Sequence, residues 1–327
     1  MTGGAGFIGA HVAEALHHRG SRVTVLDDLS GGFDDNIPAG VEFVRGSITD
    51  APLVDRLFDE RGFEYVYHLA AYAAEGLSHF IKRFNYTNNL IGSVNLINAS
   101  INHRVKGFVF TSSIAVYGAA PALPVTEAAI PQPEDPYGIA KYAVEQDLHA
   151  SRALFGLDFI VFRPHNVYGP RQNIGDRYRN VVGIFMNQIM QGQPMTIFGD
   201  GSQTRAFSYV DDVAPLMAEA IDVEGAWNQV FNVGADSPTP LNELAHAVAD
   251  ALGVEPEIRY VPARQEVAHA YASHDKVRRV FGARPQTSLR DGLRSMAAWV
   301  RERGPRTSRP FDGIEISTNL PDVWRPL

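Results

Sequence analysis

Short apolar runs alternate along this chain with stretches whose apolar residues recur at helical spacing. The runs at 22–27, 41–45, 64–70, 107–111 and 158–163 are rich in β-branched and aromatic residues, which is typical of buried strands. Amphipathic stretches separate these runs, and the first extends from about Phe7 to Arg19. Because parallel strands need helical crossovers, this order predicts an α/β fold with a doubly wound parallel sheet.

Directly ahead of the first helical stretch, the segment TGGAGFIG places glycines three residues apart, at Gly3, Gly6 and Gly9. Such glycines let the backbone approach a pyrophosphate, which the free N–H groups of a helix N-terminus attract. The run at 22–27 then ends in Asp27 and Asp28, where a second strand delivers a carboxylate to an adenosine ribose. The pattern predicts a Rossmann-type dinucleotide site. Repulsion between Asp27 and a 2′-phosphate favours NAD, although Arg22 nearby leaves NADP open.

A Rossmann sheet normally carries a central strand of about five residues before this glycine loop. Here Met1 stands immediately before Thr2 and the glycines. We therefore expect the chain as given to lack most of its first strand, as a misplaced start would cause. Two neighbouring strand edges would then be left unpaired.

The rhythm of the chain changes after Tyr168, where polar loops become more frequent. We expect residues 1–168 to form the NAD-binding domain and 169–327 a smaller substrate-binding domain. A strand-like run at 230–233 and a helix over 241–252 indicate that the two interleave, with a segment of about 207–235 returning to the first. The stretch 305–327 is rich in Pro and Arg and is expected to be a loosely packed tail.

Composition narrows the class of protein. The 327 residues include 29 basic and 37 acidic side chains, a net charge of −8, which gives no support for nucleic-acid binding. There is no cysteine, so disulfides and thiol chemistry are excluded, which suits the cytoplasm. No apolar run approaches the length of about 20 residues that crosses a membrane. The one adjacent histidine pair, His17 and His18, has no ligand-like spacing around it, so no metal site is predicted.

Tyr137 and Lys141 stand four residues apart in PYGIAK, a spacing that stacks both side chains on one helix face. A free tyrosine ionises only near pH 10, so a tyrosine acting as a general base needs a cation to lower its pKa. Lys141 is the candidate cation. Ser113, just beyond the apolar run at 107–111, lies where open α/β sheets bind ligands and is a candidate partner for a substrate hydroxyl.

With these motifs in order, the chain resembles the extended short-chain dehydrogenase/reductases, and within them the NAD-dependent nucleotide-sugar epimerases and dehydratases. The resemblance reaches to about residue 295. It rests on TGGAGFIG, Asp27-Asp28, His68-Leu69-Ala70-Ala71, Asn88-Asn89, Thr111-Ser112-Ser113, Val116-Tyr117-Gly118, Tyr137 with Lys141, Arg163-Pro164 with Asn166, and Arg205.

The resemblance implies a catalytic set of Ser113, Tyr137 and Lys141, and NAD as cofactor. The residues implied around NAD are Gly3, Gly6, Phe7, Ile8, Asp27, Asp28, Ser47, Ile48, Leu69, Ala70, Ala71, Tyr72, Asn88, Tyr137 and Lys141. Two positions depart from the epimerase pattern. Ala73 stands where a lysine is frequent, and Ser47 where an aspartate often meets the adenine.

The reaction that the resemblance implies begins when Tyr137 takes a proton from a sugar hydroxyl while NAD oxidises that carbon. Dehydratases usually carry an acidic pair just after the serine, and here Ile114 and Ala115 stand there. Neither side chain transfers a proton, so the sequence favours epimerisation at C4, of the UDP-glucose 4-epimerase type, over elimination. A dehydratase or reductase of nucleotide sugars, and a non-catalytic NAD-binding sensor or scaffold, are the alternatives.

On the substrate side the resemblance implies a UDP-sugar. Its contacts would come from Glu75, Ser113, Asn166, Asn180, Arg205 and Arg264, the last in an Arg264-Gln265-Glu266 motif one residue shorter than usual. Glu75 would select a sugar hydroxyl or repel a uronic acid, or is a solvated loop carboxylate. A homodimer paired through helices at about 85–103 and 136–155 is also implied. Asp211 and Asp212 are interpreted as the N-terminal cap of a helix over 213–220.

Overall fold

The computed structural model describes residues 1–120, 122–264, 266–307 and 311–325. Its strands are β1 (Thr24–Asp27), β2 (Glu42–Arg45), β3 (Tyr65–His68), β4 (Gly107–Thr111), β5 (Phe159–Pro164), β6 (Val167–Tyr168), β7 (Met195–Phe198), β8 (Thr204–Ala206), β9 (Ser208–Tyr209), β10 (Gln229–Val233), β11 (Pro238–Pro240), β12 (Ile258–Val261) and β13 (His269–Ala270). Its helices are α1 (Phe7–His18), α2 (Ala51–Arg61), α3 (Glu75–Ser78), α4 (Lys82–Tyr86), α5 (Gly92–Asn102), α6 (Pro136–Phe155), α7 (Val181–Met190), α8 (Val210–Glu219), α9 (Leu241–Leu252), α10 (Asp275–Phe281) and α11 (Leu289–Arg303).

The central sheet is parallel, as the alternation of apolar runs predicted. Strands β10, β5, β4 and β3 lie side by side in that order, and β1 pairs with β2. All five predicted runs are strands, with bounds that differ by at most two residues. β10, which comes late in the chain, pairs with β5. The second part of the chain therefore contributes to the sheet built by the first.

Thr2 lies between β1 and β3 and joins the two parts of the sheet. Its backbone N–H donates to Tyr67 O at 2.9 Å, and Leu26 N donates to Met1 O at 2.8 Å. Thr2 forms isolated parallel bridges with both Leu26 and His68. These bonds place the glycine loop immediately beyond the carboxyl ends of two neighbouring strands.

Helices cover both faces of the sheet. On one face, α1 and α8 pack against β strands through residues such as Val12, Val213 and Phe231. On the other, α2, α5 and α6 pack through Leu57, Leu96 and other side chains. A separate apolar cluster joins α7, α9 and α11. This arrangement is the doubly wound fold that the sequence predicted.

Helix α6 has sequence signals at both of its ends. The Asp135 side chain accepts a hydrogen bond from Gly138 N at 2.9 Å, and Pro136 occupies the first turn. Gly156 ends the helix with φ 76°, a conformation that glycine adopts without steric cost. The helix therefore begins one residue before Tyr137, and its second turn carries Lys141.

Two helix predictions were wrong in detail. Asp211 and Asp212 lie inside the first turn of α8, which begins at Val210, so neither is the N-cap. Asp212 instead accepts bonds from the backbone and hydroxyl of Thr287, each at 2.9 Å. The helix expected over 85–103 is α4 and α5 joined by a π-helical segment, Thr87–Ile91.

The C-terminal stretch is packed, contrary to the expectation of a loose tail. Leu320 is 4% exposed and Trp324 is 3% exposed. Both belong to an apolar cluster with Leu77, Ile81 and Tyr178. The apolar side chains that make these contacts are spaced irregularly along 311–324, so their spacing predicts neither a helix nor a strand. Residues 308–310 and 326–327, which the prediction also covered, lie outside the described residues, as does Gln265.

Candidate active site

A cleft of about 830 Å³ opens at the carboxyl ends of the parallel strands and is walled by loops from the second part of the chain. Its lining includes many of the predicted site residues. They are Phe7, Ile8, Leu69, Ala71, Glu75, Ser113, Tyr137, Lys141, Asn166, Asn180, Arg205 and Arg264. Candidate cofactor, catalytic and substrate residues therefore share one cavity.

Tyr137 lies in the first turn of α6 with only 7% of its surface exposed. Its backbone N–H donates to the Ser78 hydroxyl at 3.2 Å. Burial raises the pKa of Tyr137 above its ordinary value, and a hydrogen bond with the Ser113 side chain opposes that rise. The family resemblance implied that Ser113 and Tyr137 act together, and both side chains line the cleft.

Lys141 lies one helical turn further on and is 2% exposed. Its Nζ donates to Thr111 O at 2.8 Å and lies 5.8 Å from the Tyr137 ring centroid. Burial lowers the pKa of Lys141 to about 7, against the opposing charge of Glu145. The sequence led us to expect that Lys141 lowers the pKa of Tyr137, whereas burial is the largest influence on both groups and raises the pKa of Tyr137.

Ser113 ends the segment after β4 and caps a short 3₁₀ turn, Ile114–Tyr117. Its Oγ accepts a hydrogen bond from Ala115 N at 3.1 Å. Nearby, the buried hydroxyl of Thr111 has no hydrogen-bond partner among the described residues. Buried hydroxyls are normally bonded, so this end of the strand offers polar groups to a bound molecule.

The glycine loop fits a dinucleotide. Gly3 has φ 74°, and a Cβ there would lie 2.5 Å from Ala70 N. A Cβ at Gly9 would lie 1.9 Å from Gly3 O. No side chain therefore fits at Gly3 or Gly9. The loop leads directly into the N-terminus of α1, where the N-cap residue Gly6 has no side chain to bond to the free N–H groups. The free N–H groups suit the pyrophosphate of NAD.

Asp27, at the end of β1, is tied to this loop. Its carboxylate accepts from Ala5 N at 3.0 Å and from Leu29 N at 2.9 Å. Burial raises the pKa of Asp27, while these two hydrogen bonds lower it. Asp27 thus holds the glycine loop against the end of β1, and its side chain is not part of the cleft lining.

Several predicted cofactor residues do not line the cleft itself. Asp28 bonds to Ser30 N in a turn, Ser47 pairs with Thr49, and Ile48 is buried against Gly92. The Asn88 amide donates to Phe84 O within its own helix. Its neighbour Asn89 holds the loop after β3 by accepting from Tyr72 N at 2.8 Å and donating to Tyr72 O at 3.1 Å.

The two predicted substrate arginines meet at one carboxylate. Arg205 Nη2 lies 3.4 Å and Arg264 Nη2 lies 3.1 Å from Glu266 Oε2. Arg205 also donates to backbone carbonyls, including that of Ala268 at 3.0 Å. These bonds hold two cations at one end of the cleft, as a diphosphate requires.

Asn166 and Asn180 both adopt positive φ, 42° and 61°. Asparagine tolerates this conformation better than most residues. Asn166 Nδ2 donates to Ala206 O at 3.2 Å, and Asn180 is the N-cap of α7 without a side-chain capping bond. Asn180 therefore places the start of α7 at the cleft.

Two carboxyl groups, Glu75 and Asp135, line the cleft close to Tyr137. Glu75, the first residue of α3, is accessible from the cleft although protein atoms surround it. Burial and the charge of Asp135 raise the pKa of Glu75. Burial also raises the pKa of Asp135, against its hydrogen bond to Gly138. Sequence reasoning proposed Glu75 and missed Asp135, which an Asp-Pro pair at a helix start could have indicated.

Other cleft residues that sequence reasoning missed are His165, Tyr178, Arg179 and Trp324. The Arg179 guanidinium lies 4.9 Å from the Tyr72 ring centroid and bonds to Asp176 at 2.7 Å. Only tertiary contacts bring these residues to the site. Among the described residues, no group of three potential ligands from His, Asp and Glu could hold a metal ion, and no helix is long and apolar enough to span a membrane.

Arg163 and Glu145 form a buried ion pair one helical turn from Lys141. Arg163 Nε donates to Glu145 Oε1 at 3.0 Å, and the two side chains are 5% and 1% exposed. Ser112 also bonds to this carboxylate, and Arg163 donates to the Tyr117 hydroxyl at 2.6 Å. Ser112, Tyr117 and Arg163 therefore form, with Glu145, one buried hydrogen-bonded network next to the cleft.

The parallel sheet, the closed glycine loop and the Ser113, Tyr137 and Lys141 cluster define an extended short-chain dehydrogenase/reductase fold. Residues 1–234 match the NAD dependent epimerase/dehydratase family. The UDP-glucose 4-epimerase of Mycolicibacterium smegmatis is 36% identical over 310 residues, which covers 93% of this chain and 98% of the relative.

Two solved structures are similar over 92% of this chain. UDP-glucose 4-epimerase from Thermotoga maritima, with UDP-glucose, is 37% identical with a TM-score of 0.88, and 98% of it is covered. UDP-glucose 4-epimerase from Thermus thermophilus, in complex with NAD, is 34% identical with a TM-score of 0.85, and 97% of it is covered. The chain therefore belongs to the NAD-dependent epimerase/dehydratase family, and its cofactor is NAD.

Proposed function

We propose that this protein interconverts UDP-sugars that differ in configuration at C4, through a transient 4-keto sugar. The observation that carries the proposal is that Ser113, Tyr137 and Lys141 line the same cleft as Arg205 and Arg264. A proton-transfer set and a diphosphate-binding end in one cavity suit a nucleotide sugar. The named activities of the relatives support the same substrate class.

Tyr137 is the proposed general base for the C4 hydroxyl, and Ser113 orients that hydroxyl through a shared hydrogen bond. Lys141 lies on the cofactor side of the site, and its positive charge would stabilise the phenolate form of Tyr137 that accepts the proton. NAD held in this site would supply the acceptor for the hydride of C4 and, once reduced, the donor that restores a hydride to the opposite face of the sugar. Tyr137 returns its proton in that second half, so the cofactor and the protein end each cycle unchanged.

Ile114 and Ala115 support epimerisation over loss of water. Both line the cleft next to Ser113, and neither has a proton to give or take. The nearby carboxyls of Glu134 and Asp135 accept hydrogen bonds from the backbone at Ala119 and Gly138. Glu134 thus holds the loop at Ala119, and Asp135 caps the start of α6.

We propose that residues 1–168, with the returning segment of about 207–235, hold NAD, and that 169–327 hold the UDP-sugar. The proposed NAD residues are those that the family resemblance implied. In the cytoplasm, two copies would pair through the π-helical segment, α5 and α6. Ile91, Ile139, Leu154 and Phe155 are 51%, 42%, 75% and 60% exposed on that surface, and burying such side chains would favour pairing.

The test is a proton NMR time course with NAD and UDP-glucose, UDP-galactose, their N-acetyl forms or UDP-glucuronate in separate samples. A new anomeric signal from the C4 epimer would support the proposal and name the sugar. A keto or deoxy product would instead identify a dehydratase. If wild-type protein binds NAD yet converts none of these sugars, the sensor alternative gains weight.

A further inference from the structure

We propose that Trp324, in residues 311–325 (the C-terminal strap), forms part of the nucleotide-sugar site and sets the affinity for the nucleotide by holding Arg264 in place. The inference rests on the proposed function. The family resemblance reaches to about residue 295, before the strap begins.

Specific polar contacts fix the strap to the first part of the chain. The Glu315 carboxylate accepts from the backbone N–H groups of Arg83 and Phe84, each at 2.9 Å, at the start of α4. Glu315 N donates to Phe80 O at 2.8 Å. Phe311 N donates to the Tyr178 hydroxyl at 2.9 Å. These bonds connect the strap both to the loop after β3 and to the segment before α7.

Trp324, 3% exposed, lies where these parts meet and lines the cleft. Its ring makes edge contacts with three aromatic rings, with centroid distances of 6.2 Å to Phe80, 5.4 Å to Tyr178 and 5.9 Å to Phe198. Gly76, next to Glu75, packs so closely that a Cβ there would lie 3.1 Å from Trp324. One side chain of the strap thus bridges the loop that carries Glu75 and the end of β7.

The ring of Trp324 and that of Phe198 hold Arg264. The Arg264 guanidinium carbon lies 4.6 Å from the Phe198 centroid and 5.5 Å from the Trp324 centroid. Its Nη2 donates to Glu266, while its buried Nε has no hydrogen-bond partner among the described residues. A guanidinium restrained between aromatic rings loses less entropy when it binds a phosphate. The strap therefore preorganises one of the two cations proposed for the diphosphate.

The experiment compares UDP binding and steady-state kinetics of wild type, Trp324→Ala, Trp324→Phe and Ile316→Ala. Ile316 lies on the same strap, is 37% exposed and serves as the matched control. Trp324→Ala should weaken UDP binding and raise KM by about fivefold to twentyfold, with kcat within about twofold of wild type. Trp324→Phe should restore most of the affinity, and Ile316→Ala should match wild type.

A change confined to thermal stability, with UDP affinity and KM at wild-type values in Trp324→Ala, would overturn the inference. A second measurement is independent of this variant's folding. Because the chain has three tryptophans, Trp227→Phe with Trp299→Phe leaves Trp324 as the reporter. UDP should shift its fluorescence saturably. If UDP binds but the fluorescence of Trp324 does not shift, the inference about Trp324 is wrong and the proposed function is unaffected. If wild-type protein does not bind UDP, the proposed function is wrong as well.

Discussion

Lys141 Nζ lies 5.8 Å from the ring centroid of Tyr137, yet its hydrogen bond goes to Thr111 O at 2.8 Å. The helix places the two side chains on one face, as their spacing predicts. Burial then sets their protonation, raising the pKa of Tyr137 and lowering that of Lys141 to about 7. Activation of Tyr137 therefore depends on what the cleft binds as well as on Lys141.

Replacing Tyr137 with phenylalanine should reduce kcat by about 10²- to 10⁴-fold, because the variant has no group to exchange a proton with the sugar. UDP binding, measured by calorimetry, should change little, since the proposed diphosphate contacts lie elsewhere. Tyr142→Phe, on the same helix outside the cleft lining, is the control and should retain activity. Substantial turnover by Tyr137→Phe would show that another group is the base.

Lys141 should make stability depend on pH. Its pKa falls from an ordinary 10.5 to about 7 in the folded protein. Between these values the unfolded chain binds a proton that the folded protein does not, so stability rises with pH across this window. In Lys141→Met this contribution is absent. The difference in melting temperature between wild type and Lys141→Met should therefore increase in favour of wild type from pH 7 to 10. The control is Lys82→Met at an exposed position, for which the difference from wild type should not change with pH. A constant difference would contradict the lowered pKa.

Glu145→Gln should destabilise the protein by about 3–5 kcal/mol, because it leaves Arg163 buried without its ionic partner. Urea unfolding at neutral pH would measure the loss. Glu64→Gln, which breaks the exposed pair with Lys106, should change stability little. Equal effects of the two substitutions would mean that burial does not determine the value of these pairs.

Glu75→Gln should change sugar selectivity. Above its raised pKa of about 7, the cleft carboxylate of Glu75 repels a second carboxylate, so at pH 8 its removal should raise kcat/KM for UDP-glucuronate relative to UDP-glucose by about tenfold. Competition between the two sugars in one NMR sample gives the ratio directly. Glu134→Gln is the control, since Glu134 also lines the cleft but bonds to Ala119 N. An unchanged ratio would assign Glu75 no part in selectivity.

Local patterns in the sequence were enough to predict the strands, the glycine loop and the shared helix face of Tyr137 and Lys141. Apolar runs predicted the strands of the parallel sheet, and helical spacing predicted α9. The glycine spacing located the dinucleotide loop, because a side chain cannot fit at Gly3 or Gly9. The four-residue spacing of Tyr137 and Lys141 put them on one helix face.

The tertiary structure was needed to show which residues far apart in sequence come into contact and how burial shifts their pKa values. The pairing of Arg163 with Glu145, the carboxyls of Glu75 and Asp135 in one cleft, and the protonation of Lys141 all follow from burial. Trp324 gave no local signal, since it lies in a stretch without periodicity, and its buried position results from contacts with rings far away in the chain. Contacts between residues so far apart in sequence, and the desolvation they produce, are properties of the assembled fold.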